Sequence, residues 1–214
     1  MIKEDLITRY SKQEERLNII THGLGFLLSV IGLPFLIVKS FDFSGFWKPA
    51  SFYIFGFSLI VLYAASTLYH AAKKVRLRRR LNILDHAAIF VLIAGTYAPF
   101  TLITLEGSTG WVIFVFTWSF ALIGIVLKLF FTRKYDKLST VLYVLMGWQI
   151  VFVIKPLMEN LSFDGLKLLF IGGVFYTIGA VLYSTKRLPF NHAIFHVFVI
   201  LGSLSHFFSV LLYV

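Results

Sequence analysis

The sequence predicts an all-α, polytopic membrane protein, a bundle of seven transmembrane helices with its N-terminus in the cytoplasm and its C-terminus outside. Three observations predict it. Hydrophobic residues make up 58% of the chain and charged residues 14%, with a mean hydropathy of +0.85, whereas a soluble domain holds about 45–50% and about 25%. The apolar residues gather into seven runs of roughly 17–24 residues, each long enough to cross the hydrocarbon core of a bilayer. Lysine and arginine collect in alternate connections between those runs, the pattern of the positive-inside rule.

The first run covers residues 17–39 after sixteen polar residues of mixed charge. Glu15, Asn18 and His22 are spaced i, i+3, i+7 at its start and so share one helix face. Pro34 falls inside it, where a kink is tolerated. The second run, 51–72, follows Pro49 and closes on Ser66-Thr67-Leu68-Tyr69-His70. The third, 82–105, places Asp85 and His86 in its first turn and contains Pro99. The fourth, 111–131, begins after Gly107 and Gly110. The fifth, 138–155, carries the weakest signal, because Gln149 and Lys155-Pro156 shorten it. The sixth, 165–184, starts at Gly165, and the seventh, 191–213, opens on Asn191-His192-Ala193-Ile194-Phe195-His196 after Pro189. The chain shows no internal repeat, low-complexity tract or linker, so residues 1–214 are expected to form one membrane domain. The first run is too long for a secretory h-region, and no cleaved signal is expected.

Orientation follows from the basic residues. Lys3, Arg9, Lys12 and Arg16 precede the first run; Lys73, Lys74, Arg76, Arg78, Arg79 and Arg80 follow the second. Lys128, Arg133, Lys134 and Lys137 surround the fourth connection, and Lys186 and Arg187 the sixth. Only Lys39, Lys48, Lys155 and Lys167 fall on the other side. The excess marks the cytoplasmic face, a topology inverted relative to rhodopsin-like receptors. The net charge of +10 is thus accounted for by the membrane, with anionic lipid as a partner of the basic loop and no nucleic acid. The expected location is integral to a membrane, the plasma (inner) membrane of a bacterium.

With that topology, His70 lies near the inner interface and Ser66 one turn deeper on the same face. Asp85 and His86, then His192 and His196, begin helices that start from the same side, and Glu15, Asn18 and His22 do likewise. Distant segments therefore bring imidazole and carboxylate to one depth in the inner leaflet, where chance would scatter them. Ionisable groups inside a membrane helix are costly and default to a functional role. The chain has no cysteine, so a metal here must be held by histidine and carboxylate. His192 and His196, at i, i+4, can bind one ion from one helix face.

These residues resemble a known family. Ser66-x-x-x-His70, Leu84-Asp85 and His192-x-x-x-His196 are similar to motifs of the progestin and adipoQ receptor family. Glu15-x-x-Asn18-x-x-Thr21-His22-Gly23 and Ala94-Gly95-Thr96-Tyr97-Ala98-Pro99 resemble its bacterial branch, the hemolysin III proteins. The resemblance covers nearly the whole chain. It implies seven spans with a cytoplasmic N-terminus and a Zn2+ ion on His70, His192 and His196. It further implies that Ser66 and Asp85 are linked to a metal-bound water, with Glu15, Asn18 and His22 as candidate supporting residues. The chain lacks the long N-terminal domain of the animal receptors, so an adiponectin-like ligand is not implied.

Three imidazoles would leave one tetrahedral position open, as in catalytic zinc sites, and zinc acidifies bound water and polarises carbonyls. Asp85 is then the group that orients or deprotonates the attacking water, and Ser66 a hydrogen-bond donor. The expected activity is hydrolysis of a lipid amide or ester, in line with the similar His, Asp and Ser set of the related alkaline ceramidases. Two further readings stand beside it: a non-enzymatic membrane-homeostasis sensor with structural zinc, and a pore-forming hemolysin. Retinal is disfavoured because the seventh run has no lysine. Bis-histidine haem ligation is disfavoured because His192 and His196 share one face. His86 and His206 read as interfacial or satisfied residues. His206 stands ten residues beyond His196, roughly 15 Å deeper, too far for the same ion but able to line a passage.

Overall fold

The computed structural model describes residues 10–131, 136–185 and 188–214. Lys3, Arg9, Arg133, Lys134, Lys186 and Arg187 lie outside the described residues. Seven helical segments are long and apolar enough to cross a membrane, and every regular element among the described residues is helical. Their outer faces carry large apolar side chains, Phe35, Val112, Phe116, Ile123, Phe130 and Phe152 among them. A surface of that kind is stable against lipid rather than water.

Helix α1 (Lys12–Ser40) starts at Ser11, whose side chain accepts from the Glu14 amide at 3.1 Å. Glu14 and Glu15 occupy its first turn, where carboxylates suit the helix dipole. The helix runs through Pro34 without interruption. Helix α2 (Trp47–Ala71) ends at His70-Ala71.

Helix α3 begins at Val75, seven residues before the expected start, and runs to Pro99. The arginine-rich stretch is therefore helical, because straight-chain arginines are good helix formers. Asp85 consequently stands well inside the helix, about 15 Å along its axis from Val75, and not in its first turn. Past Pro99 the chain continues as a π-helical turn, Phe100–Thr104, in which the Leu105 amide donates to the Phe100 carbonyl at 2.8 Å. Helix α3 is the centre of the bundle: 78% of its spanning window is buried, against 50% or less in every other span.

Helix α4 (Gly107–Phe131) packs on α3, with Gly110 so close that a Cβ there would lie 2.0 Å from the Thr101 carbonyl oxygen. The fifth span is broken. Helix α5 (Asp136–Trp148) gives way to a 3-10 stretch, Gln149–Val153, followed by α6 (Ile154–Asn160). Lys155-Pro156 does not end the span, since Pro156 sits in the first turn of α6, where its absent N–H costs nothing. The freed backbone groups are satisfied by Tyr97 of α3. Its hydroxyl donates to the Gly147 carbonyl at 2.8 Å and accepts from the Ile150 amide at 2.9 Å. Gln149 is buried and donates to the Thr117 hydroxyl.

Helices α7 (Phe163–Ser184) and α8 (Asn191–Tyr213) form the closest antiparallel pair, and α8 also packs on α1. Phe190 takes a left-handed conformation, φ 56°, just before α8. Asn191 then donates to the Tyr183 carbonyl at 3.0 Å, fixing the turn that aims the next residue, His192, inward.

Candidate metal centre

The start of α1, the end of α2, the start of α3 and the start of α8 meet at one end of the bundle. Helical geometry delivers the side chains in pairs. Ser66 and His70 lie one turn apart on α2, as His192 and His196 do on α8, and all four are buried. One ring nitrogen from each of His70, His192 and His196 lies within 4.8 Å of the others. His192 Nε2 stands 3.1 Å from His70 Nε2 and 3.0 Å from His196 Nε2.

The outward nitrogens decide what the inward ones offer. His70 Nδ1 is 2.7 Å from Glu15 Oε2, and a carboxylate can only accept, so Nδ1 carries the proton. The Asn18 amide, 3.4 Å from the same nitrogen, is at the limit of a bond and does not override the shorter charged contact. His196 Nδ1 is 3.2 Å from the Thr21 hydroxyl, whose own proton is committed to the Leu17 and Asn18 carbonyls; His196 Nδ1 is again the donor. Both rings therefore turn an Nε2 lone pair onto His192 Nε2. Two acceptor lone pairs aimed at a third imidazole nitrogen are a donor set that a cation seated between the three rings satisfies. A tetrahedral zinc with Zn–N of about 2.0–2.1 Å sets its ligands about 3.3–3.4 Å apart, a few tenths from the spacings seen. The residues fit a metal ion.

A supporting layer surrounds the three rings. Glu15 also pairs with Arg78, whose guanidinium lies 4.7 Å over the Tyr69 ring. His22 stacks on His196 with centroids 3.4 Å apart, and both of its ring nitrogens are buried without a hydrogen-bond partner. Tyr10 stacks on His192 at 4.7 Å, and burial pushes its phenol above the ordinary value, so it stays protonated. Arg78, Thr21 and Tyr10 were not singled out as site residues from sequence. Arg78 stands on the next helix, across the break between α2 and α3, so helical spacing from His70 could not have found it. Tyr10 leaves no signal in a polar N-terminal stretch.

Asp85 is buried close to Ser66 and His70, and Ser66 Oγ has no hydrogen-bond partner. Asp85, His22, His192 and His196 line an internal cavity, with His86 part of the same wall. Its volume is about 140 Å3, room for roughly five water molecules at about 30 Å3 each. The cavity runs on past Leu62, Ile89, Leu92 and Val199 to Trp148, Tyr176 and His206. It is thus a long, chiefly apolar chamber with the histidine cluster at one end.

Glu15 is expected to act through the His70 ring rather than on the ion. Glu15→Gln should weaken metal binding by about 10–100-fold, the usual effect of losing a carboxylate behind a ligating histidine. Competition against a zinc chelator checks this; unchanged affinity would separate Glu15 from the site.

Compared with known proteins, residues 10–207 match the family model described as haemolysin-III related. The chain is 47% identical over 204 residues to the hemolysin-3 homolog of Bacillus subtilis, covering 95% of this chain and 96% of that one. It is 45% identical over 208 residues to hemolysin-3 of Bacillus cereus, covering 97% and 94%. A more distant similarity, 28% over 203 residues and covering 92% and 83%, links it to the human monocyte to macrophage differentiation factor.

Proposed function

The chain belongs to the haemolysin-III-related family, and on that premise we propose that it is a zinc-dependent membrane hydrolase acting on amide or ester bonds of lipids. The observation that carries this reading is the convergence of three histidine Nε2 atoms beside Asp85 at one end of a chiefly apolar chamber. Zinc is the metal most consistent with an all-imidazole set, three protein ligands and the family. By the distribution of lysine and arginine, the site faces the cytoplasmic leaflet and the C-terminus lies outside. A bacterial inner membrane is the proposed location.

His70, His192 and His196 would hold the ion through Nε2. When bound, zinc supplies Lewis-acid polarisation of a carbonyl and activation of water. Asp85 takes the proton of the attacking water and passes it to the departing amine or alcohol, as general acid–base chemistry requires. Ser66 Oγ, free of other partners, donates to the ligand carbonyl. The apolar wall accepts the acyl chain and keeps bulk water from the reacting end.

One observation favours a second reading, a sensor in which zinc staples the bundle: the cluster and its support draw on α1, α2 and α8 at once. Lysis of cells is what the name hemolysin-3 says of the Bacillus cereus relative, and pore formation is one route to it. Here it would predict ion leak from liposomes carrying the protein.

The deciding experiment uses purified protein in nanodiscs of bacterial lipid, offered ceramides and lysophospholipids, with released fatty acid read by mass spectrometry. Release that stops on chelation and returns with zinc is expected. Protein holding about one zinc per chain and releasing nothing from either class would favour the staple.

A further inference from the structure

The chamber has a second polar end. His206 is 7% exposed, and Nε2 lies 3.0 Å from the Leu169 carbonyl oxygen. A carbonyl only accepts, so Nε2 is the donor, and the neutral ring presents Nδ1 as a bare lone pair. Nδ1 is buried with no hydrogen-bond partner. Its neighbours on the wall are satisfied: the Tyr176 hydroxyl bonds Ser203 at 2.8 Å. The Thr177 hydroxyl donates to the Gly173 carbonyl and accepts from Trp148 Nε1. Among the described lining residues, the unpaired nitrogens are those of His22, His192 and His206, and only the last is remote from the cluster. A buried acceptor left unpaired is destabilising, so a donor brought to it is favoured. The ring is also held in place: a Cβ at Gly172 would lie 2.2 Å from His206 Cδ2, so the backbone of α7 fixes the imidazole against the chamber.

We propose that His206 forms a hydroxyl-reading subsite, so that the chamber selects acyl chains bearing a mid-chain hydroxyl. This inference rests on the reading that the chamber takes an acyl chain whose carbonyl end meets the histidine cluster. Ten residues of α8 separate His196 from His206, roughly 15 Å along the helix and on the order of a dozen methylenes. A chain anchored at the cluster carries its twelfth carbon to His206. There a hydroxyl donates to Nδ1, whereas a plain methylene leaves that lone pair unmet.

The test compares stearic acid, 12-hydroxystearic acid and 2-hydroxystearic acid, binding to zinc-loaded protein in nanodiscs by competition. The 12-hydroxy acid should bind about tenfold tighter than stearate, and the 2-hydroxy acid should show no such gain. His206→Leu should erase the preference, bringing the 12-hydroxy acid and stearate to equal affinity. If that variant does not fold, the positional comparison on the unaltered protein decides alone. Stearate and 12-hydroxystearate binding equally would overturn the subsite, the lone pair then serving an internal water only. Failure of all three acids to bind would overturn the acyl-chamber reading itself, and the subsite with it.

Discussion

Replacing His196 with alanine is expected to strip the protein of its metal. Elemental mass spectrometry of purified wild type should give about one zinc per chain, and His196→Ala close to none. The expectation is large because three ring nitrogens converge among the described residues, and removing one leaves two, fewer than the three protein ligands of catalytic zinc sites. His196 also bonds Thr21 and stacks on His22, so its loss unties α8 from α1. Metal-linked stabilisation disappears as well, since an ion that binds only the folded form adds about 4 kcal/mol at a thousandfold excess over its Kd. A drop of several degrees in the thermal midpoint should accompany the lost zinc, and adding zinc should not restore it. His86→Ala is the control. His86 is part of the chamber wall but not of the converging set, and that variant should keep its metal. Zinc retained at full occupancy in His196→Ala would remove the cluster as a metal site.

The second large effect is on turnover. Asp85→Asn should lower lipid hydrolysis by about 10^2–10^4-fold, the contribution of a positioned general base, while zinc content stays at the wild-type level. The substitution keeps shape and hydrogen-bonding capacity but gives up the ability to take a proton. Asp85 is buried on the chamber wall and outside the converging set, so metal retention and lost chemistry separate cleanly. Undiminished release of fatty acid by the variant would relieve Asp85 of its role. Lost zinc would instead recast it as a ligand.

Much of this was legible in the sequence, for reasons specific to membranes. A lipid solvent forces long apolar helices, so seven runs could be placed from composition alone, and the seventh falls on its observed bounds, Asn191–Tyr213. Histidine and carboxylate stand out against such a background and could be placed at one depth, but it was the resemblance to the progestin and adipoQ receptor family that singled out His70, His192, His196, Asp85 and Ser66 among them. The start of α3 was misplaced because a hydropathy reading stops at the first cluster of arginines, whereas a helix does not. The break after Trp148 left only Gln149 as a hint. Its cause is the Tyr97 hydroxyl, some fifty residues away, and no local pattern reports a partner at that distance. The tautomers at His70 and His196 were beyond reach for the same reason: they depend on which atoms of Glu15 and Thr21 stand behind each ring.

The split of the cluster between α2 and α8 bears on biogenesis. When a nascent chain has emerged through α7, it carries His70 but neither His192 nor His196. A single imidazole holds zinc only weakly, so the metal cannot template insertion of the earlier helices. Capture must wait until α8 has crossed the bilayer and seated beside α1. On the proposed zinc reading, metal uptake would then mark the moment at which the topology is complete, and a chain whose α8 fails to insert would be left metal-free and distinguishable from the finished protein.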